Sequence, residues 1–151
     1  MVNTRVFSCF PGTGKSWVYE HRAKFYLNIL DSDSSTFSWI SPGVRNPEFP
    51  NNYMKHIKGN IGYADIILVS SHEVVRKALK ENDLRYDIVY PHICSKELYM
   101  ERYLDRGNDE EFIKLLWLNW NTWIQSIQID EYPIQHVLPG DLYLSDLLLR
   151  L

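Results

Sequence analysis

Gly12, Thr13, Gly14, Lys15 and Ser16 follow directly behind the apolar run Val6-Phe7-Ser8-Cys9-Phe10. Glycines at this spacing let successive backbone N–H groups converge on one point, and an anion held there also meets the positive end of any helix that Lys15 and Ser16 open. A lysine at that position reaches the outer phosphates of a nucleotide, and a serine hydroxyl is an oxygen ligand for Mg²⁺. The chemistry is polyphosphate binding with a metal, so ATP and Mg²⁺ are the expected cofactors. Gly12, Thr13, Gly14, Lys15, Ser16 and the adjoining Trp17 are the expected nucleotide contacts. The pattern Gly-x-x-x-x-Gly-Lys-Ser has one departure, Cys9 in place of its first glycine. A Cβ there disfavours positive φ, so an altered loop entrance is expected.

A metal at such a site commonly takes further support from a carboxylate at the end of a buried strand. The apolar run Ile66-Ile67-Leu68-Val69 ends instead in Ser70-Ser71-His72. Carboxylates stand elsewhere, in Leu30-Asp31-Ser32-Asp33-Ser34-Ser35. Their spacing of two lets one face the metal and the other an acceptor hydroxyl. One of Asp31 and Asp33, with Ser16, is the expected metal contact, and the other, with Ser34, the expected acceptor contact. The competing reading has Asp33 or Ser34 capping the next segment, a position both residue types favour. Arg45 is either a clamp for an acceptor phosphate or a solvated loop residue, and His72 either a substrate contact or a helix-start residue.

Short apolar runs alternate with longer amphipathic stretches along the chain, the pattern of parallel strands joined by crossover helices. The strands expected are Val6–Phe10, Tyr26–Leu30, Ile66–Val69, Asp87–Tyr90 and His136–Leu138. Helices are expected to begin at Gly14, near Asn51, at His72, at Ser95 and at Asp109. The stretch 34–50 holds Pro42, Gly43, Pro47 and Pro50 and is expected to loop or form short helical pieces. The fold class is α/β, a three-layer sandwich around a five-stranded parallel sheet. In the tryptophan-rich stretch, Leu116, Trp120, Trp123, Ile124 and Ile127 form a core-facing stripe. Trp117 falls off it and is open to a homodimer or partner contact.

The 151 residues and net charge of −3 suit one domain with no strong attraction for nucleic acid polymers. Cys9 and Cys94 have no metal-ligand spacing and read as reduced cytoplasmic thiols. No apolar stretch is long enough to span a bilayer, so no membrane role is expected.

At the Lys15 loop and the Asp31-Ser32-Asp33 motif the chain resembles the nucleoside monophosphate kinase and shikimate kinase group of P-loop kinases. The resemblance implies that Asp31 supports Mg²⁺ while Asp33 orients the acceptor, and that residues 34–64 form the acceptor-binding region. Glu101-Arg102-Tyr103-Leu104-Asp105-Arg106-Gly107-Asn108 is similar to the short arginine-bearing lid of these kinases, with Arg102 and Arg106 clamping the transferred phosphoryl group. Leu138-Pro139-Gly140-Asp141 is similar to the loop bordering the adenine, which implies nucleotide contacts at Pro139 and Gly140. Asp31 to Ser35, with the stretch from Tyr90-Pro91 to Trp120, most resembles small kinase-like proteins encoded by bacteriophages, which implies viral nucleotide metabolism in a host cytoplasm. The activity implied is phosphoryl transfer from ATP to a nucleoside or deoxynucleoside monophosphate. A small-metabolite kinase of shikimate or gluconate type and a nucleotide-binding regulator without transferase activity remain as alternatives.

Overall fold

The computed structural model describes residues 1–151. Strands β1 (Arg5–Cys9), β5 (Ile66–Ser70) and β6 (Asp87–Pro91) are apolar almost throughout because both their faces are covered. With β2 (Ile29–Asp31) and β7 (Ile134–Leu138) they form a sheet of order β2-β5-β1-β6-β7, every pair parallel.

Alternate side chains of each strand go to opposite layers. Val6, Phe10, Ile67, Val69 and Tyr90 pack against α3 (Asn51–Asn60), α4 (Glu73–Glu81), α5 (Lys96–Asp105) and α6 (Glu110–Gln128) through Ile57, Leu79, Tyr99 and Trp120. Phe7, Cys9, Leu68 and Val89 pack on the other face against Val18 of α1 (Lys15–Glu20) and Leu144 and Leu148 of α7 (Leu144–Leu148). The result is the expected three-layer α/β sandwich. The helix starts follow local signals: the Asp109 carboxylate accepts from the Phe112 N–H at 2.8 Å and caps α6.

Three features differ from the sequence expectation. The second strand covers Ile29–Asp31 and not Tyr26–Leu30, because Arg22–Phe25 winds into a 3₁₀ turn that ends on Tyr26 at φ 54°. β7 begins two residues earlier than expected, at Ile134. The 34–50 stretch holds one short helix, α2 (Ser35–Ser38), and then a small antiparallel pair, β3 (Trp39–Ser41) with β4 (Val44–Arg45), folded about Pro42-Gly43. Trp117 is 45% exposed, with the Lys96 ammonium 3.7 Å above its ring. No helix is long and apolar enough to cross a membrane.

Candidate active site

Cys9 is the last residue of β1, paired with Ser70 on one side and Val89 on the other. Its backbone is extended, so the position makes no demand for a glycine. Burial pushes its thiol up to about 12, against smaller opposing effects from Lys15 and Thr13. The chain then turns through Gly12 at φ 88° and Gly14 at φ 99°, conformations that a side chain would strain. Thr13 is buried, and its hydroxyl donates to the Phe10 carbonyl at 2.8 Å, closing the turn from inside.

The loop is gripped from outside by α5. Tyr103 donates its hydroxyl to the Pro11 carbonyl at 2.7 Å, and Arg102 donates from Nη1 to the Gly12 carbonyl at 2.9 Å. A Cβ on Gly12 would lie 2.8 Å from the Tyr103 ring, so the helix packs directly on the glycine backbone. Arg102 also donates from Nη2 to the Leu142 carbonyl at 3.3 Å, and its guanidinium lies between the rings of Tyr99 and Tyr143 at 4.3 and 3.8 Å. The Leu144 N–H donates to the Thr13 carbonyl at 2.7 Å. Residues from α5 and from the turn before α7 thus fix the conformation of this loop through its carbonyls.

Above the loop lies a cleft of about 650 Å³, at the edge where the parallel strands end. The Lys15 ammonium lines it and lies 3.9 Å from Oδ1 of Asp31, a residue set behind the cleft lining. That oxygen is buried and accepts no hydrogen bond. Burial raises the Asp31 pKa, Lys15 opposes the rise, and Asp33 adds to it. A carboxylate with an unpartnered oxygen and the exposed Ser16 hydroxyl at the start of α1 are oxygen ligands of the kind a divalent cation takes. Ser16 and Asp31 would hold it.

The wall opposite the loop is built from hydroxyl groups and one carboxylate. The buried Tyr53 of α3 donates to the Ser32 carbonyl, and the Ser32 N–H donates to the Leu68 carbonyl, fixing the exit from β2. Asp33 lines the cleft and accepts from the Ser35 N–H at 2.9 Å, so it is both a turn-forming residue and a cleft residue. Ser34, Ser35, Ser70, Ser71 and His72 complete this wall, and the Ser70 hydroxyl is buried without a partner. His72 is the N-cap residue of α4, yet its side chain makes no capping bond. His72 is exposed on one side, yet partial desolvation against the wall lowers its pKa and Lys15 lowers it further, so the ring is neutral at pH 7.

The remaining expected residues are spread more widely. Arg106 lines the cleft at the C-cap of α5, next to Gly107 at φ 80°, and its side chain makes no hydrogen bond. Trp17 lines the cleft rim, 44% exposed and stacked on His21 at 4.1 Å. Arg45 lies outside the cleft lining, its guanidinium 4.1 Å above the Trp39 ring. Pro139 and Gly140 also lie outside the lining, where Tyr143 from the same connection takes their place. Tyr99, Tyr103 and Tyr143 went unanticipated. The signal for the first two was present, since they flank Arg102 at a four-residue spacing that puts both on one face of a helix.

No protein-family model matches this chain, and neither does any curated protein. Solved structures do resemble it. A gluconokinase from Sinorhizobium meliloti 1021 aligns at TM-score 0.54 and 15% identity, over 97% of this chain and 87% of that one. An uncharacterized protein from Eubacterium ventriosum ATCC 27560 aligns at TM-score 0.52 and 15% identity, over 97% of this chain and 94% of that one. At such identity the likeness concerns architecture, and the architecture is the five-stranded parallel α/β fold of a P-loop kinase.

Proposed function

We propose that this chain is an ATP-dependent kinase that phosphorylates a hydroxyl of a small, largely uncharged acceptor. The observation that carries the reading is the pairing of Lys15 with the orphaned Asp31 Oδ1 at 3.9 Å, beside a phosphate loop already fixed in conformation. The loop amides and Lys15 bind the ATP phosphates, and Ser16 and Asp31 support Mg²⁺, which neutralises charge on those phosphates when bound. The acceptor hydroxyl lies against Asp33 and His72. As its oxygen bonds to the γ-phosphorus, the bond from phosphorus to the ADP oxygen breaks and the hydroxyl proton passes to Asp33 or the neutral His72. Arg106 closes on the transferred group. Arg102, with both ring faces covered and two carbonyls bound, positions the loop.

The acceptor class follows from where the cations are. Lys15, Arg102 and Arg106 serve the ATP side, and the opposite wall offers serines, Asp33 and neutral His72, with Arg45 and Arg76 near enough to act on His72 but outside the cleft lining. Such a wall recognises hydroxyl groups better than a dianionic phosphate. One observation favours the nucleoside monophosphate reading instead: the exposed Arg45 and Trp39 pair in the 34–64 region could bind a phosphate and a base together.

The test is ATP turnover across a panel of polyols, sugars and nucleoside monophosphates, with Lys15→Ala as control. The expected result is ADP formation dependent on a polyol or sugar and lowered about a hundredfold or more in Lys15→Ala. Turnover on a monophosphate alone would establish the second reading. ATP binding with no acceptor used would point to a nucleotide-binding regulator.

A further inference from the structure

A second cavity of about 130 Å³ adjoins the cleft and shares Phe10, Pro11, Ser71 and His72 with its wall. Beyond these it is lined by Glu73, Arg76, Trp123, Ser126 and Ile127. We propose that this cavity holds the distal part of the acceptor, and that its chemistry selects a neutral polyhydroxylated chain or sugar longer than three carbons. This rests on the kinase reading for the cleft but concerns only where the acceptor extends.

Arg76 makes the cavity a built feature of the fold. It is 6% exposed, and its guanidinium donates from Nε to the Ser71 carbonyl at 3.0 Å, from Nη2 to the Ser126 hydroxyl at 3.0 Å and from Nη1 to Asp130 at 3.3 Å. Three of the five N–H donors of a guanidinium are thereby used, and two are left for an occupant. The first of these bonds holds Ser71, one of the four residues that line both the cavity and the cleft. The charge of Arg76 is already balanced by Asp130, and Glu73 adds a carboxylate to the lining. An anionic occupant would meet no net positive charge. A neutral chain of alcohols would find donors on Arg76, an acceptor on Glu73, and the Trp123 ring for its C–H face, the mixture that suits a polyol. His72 borders both spaces and feels the charges of Lys15 and Asp33 as well as Arg76. An acceptor entering past His72 would therefore present one end to Asp33 and the other to Arg76.

Binding without nucleotide separates this inference from the kinase reading. Glycerol, erythritol, xylitol, sorbitol and the six-carbon aldonic acid would be titrated calorimetrically into the parent, Glu73→Ala and Trp123→Leu. Glu73 is exposed, so its substitution leaves the fold intact. The expected result is sorbitol binding about tenfold or more tighter than glycerol in the parent, the worth of one or two hydrogen bonds and a packed face. That ratio should fall toward one in both variants while glycerol affinity stays unchanged. Equal binding of all lengths, no binding of any, a ratio untouched by Glu73→Ala, or the acid binding more tightly than sorbitol would each overturn the proposal. Absent ATP turnover with the length dependence intact would overturn the kinase reading and leave the subsite standing.

Discussion

The Arg102 guanidinium donates to the Gly12 carbonyl at 2.9 Å while Tyr143 covers it at 3.8 Å, so an arginine expected on the transferred phosphoryl group is built into the wall behind the phosphate loop. The Arg106 guanidinium, one helical turn further, makes no hydrogen bond or ion pair and lies 5.7 Å from the Tyr103 ring. The two arginines should separate cleanly. Arg102→Ala should lower stability by about 2 kcal/mol, since it removes hydrogen bonds from a buried charged donor, and should raise KM for ATP. Arg106→Ala should leave Tm within a degree or two and lower kcat about a hundredfold. Thermal melts and steady-state kinetics on both variants check this.

Asp31 carries a cost in the ligand-free protein. Its pKa is raised in the fold, chiefly by burial, so the native state favours the protonated acid. A group raised in the native state contributes stability below its unfolded pKa and loses it as pH rises through the folded value. At pH 7 that contribution is gone and the buried charge remains. Asp31→Asn should raise the ligand-free Tm at pH 7, with the gain shrinking toward pH 4, while the Mg²⁺ concentration for half-maximal activity rises severalfold.

His72 has the opposite sign. Its pKa lies below 6.5 in the fold because of partial desolvation and Lys15. The unfolded chain therefore takes up a proton first, and stability falls as pH drops from about 6.5 through the lowered folded value. His72→Gln should flatten the melting temperature between pH 6.5 and 5. If His72 meets the acceptor, the same variant should raise KM for acceptor and leave that for ATP within about twofold.

The two thiols should differ sharply in reactivity. Cys94 is exposed, whereas Cys9 is buried with its pKa near 12. Iodoacetamide at pH 8 should label one thiol in the native protein and two in denaturant, detected by mass. Cys9→Gly should lower stability by about 1 kcal/mol without changing ATP affinity, because a strand position gains nothing from glycine's freedom.

The phosphate loop was legible in the sequence because it is local: strand, glycines, lysine and helix start fall within a dozen residues. β1, β5 and β6 were legible because burial on both faces leaves an unbroken apolar run. β2 was misplaced because Phe25, Tyr26 and Leu27 are also apolar, yet Tyr26 is 95% exposed at the end of a 3₁₀ turn. Apolar type alone does not distinguish the two. The β3–β4 pair is exposed and short, so no burial pattern announces it. Tyr99 and Tyr103 announce a shared helix face by their spacing, but what that face grips was missed, since the carbonyls of Pro11, Gly12 and Leu142 that anchor Arg102 and Tyr103 are invisible in side-chain patterns. Trp120, by contrast, was placed in the core by its helical spacing, and it packs edge-on against Phe10 at 5.4 Å.

The backbone bond from Leu144 to Thr13, with Arg102 and Tyr103 on the neighbouring carbonyls, bears on the order in which the site matures during synthesis. The glycines and Lys15 are made early, but the groups that fix their geometry are made much later. A chain cut back to end between residues 110 and 140 carries the entire glycine-lysine motif and α5, yet lacks the turn that seats Arg102 and covers Gly14. On the kinase reading proposed above, such a chain would bind nucleotide poorly, and ATP would stabilise the finished fold without templating it.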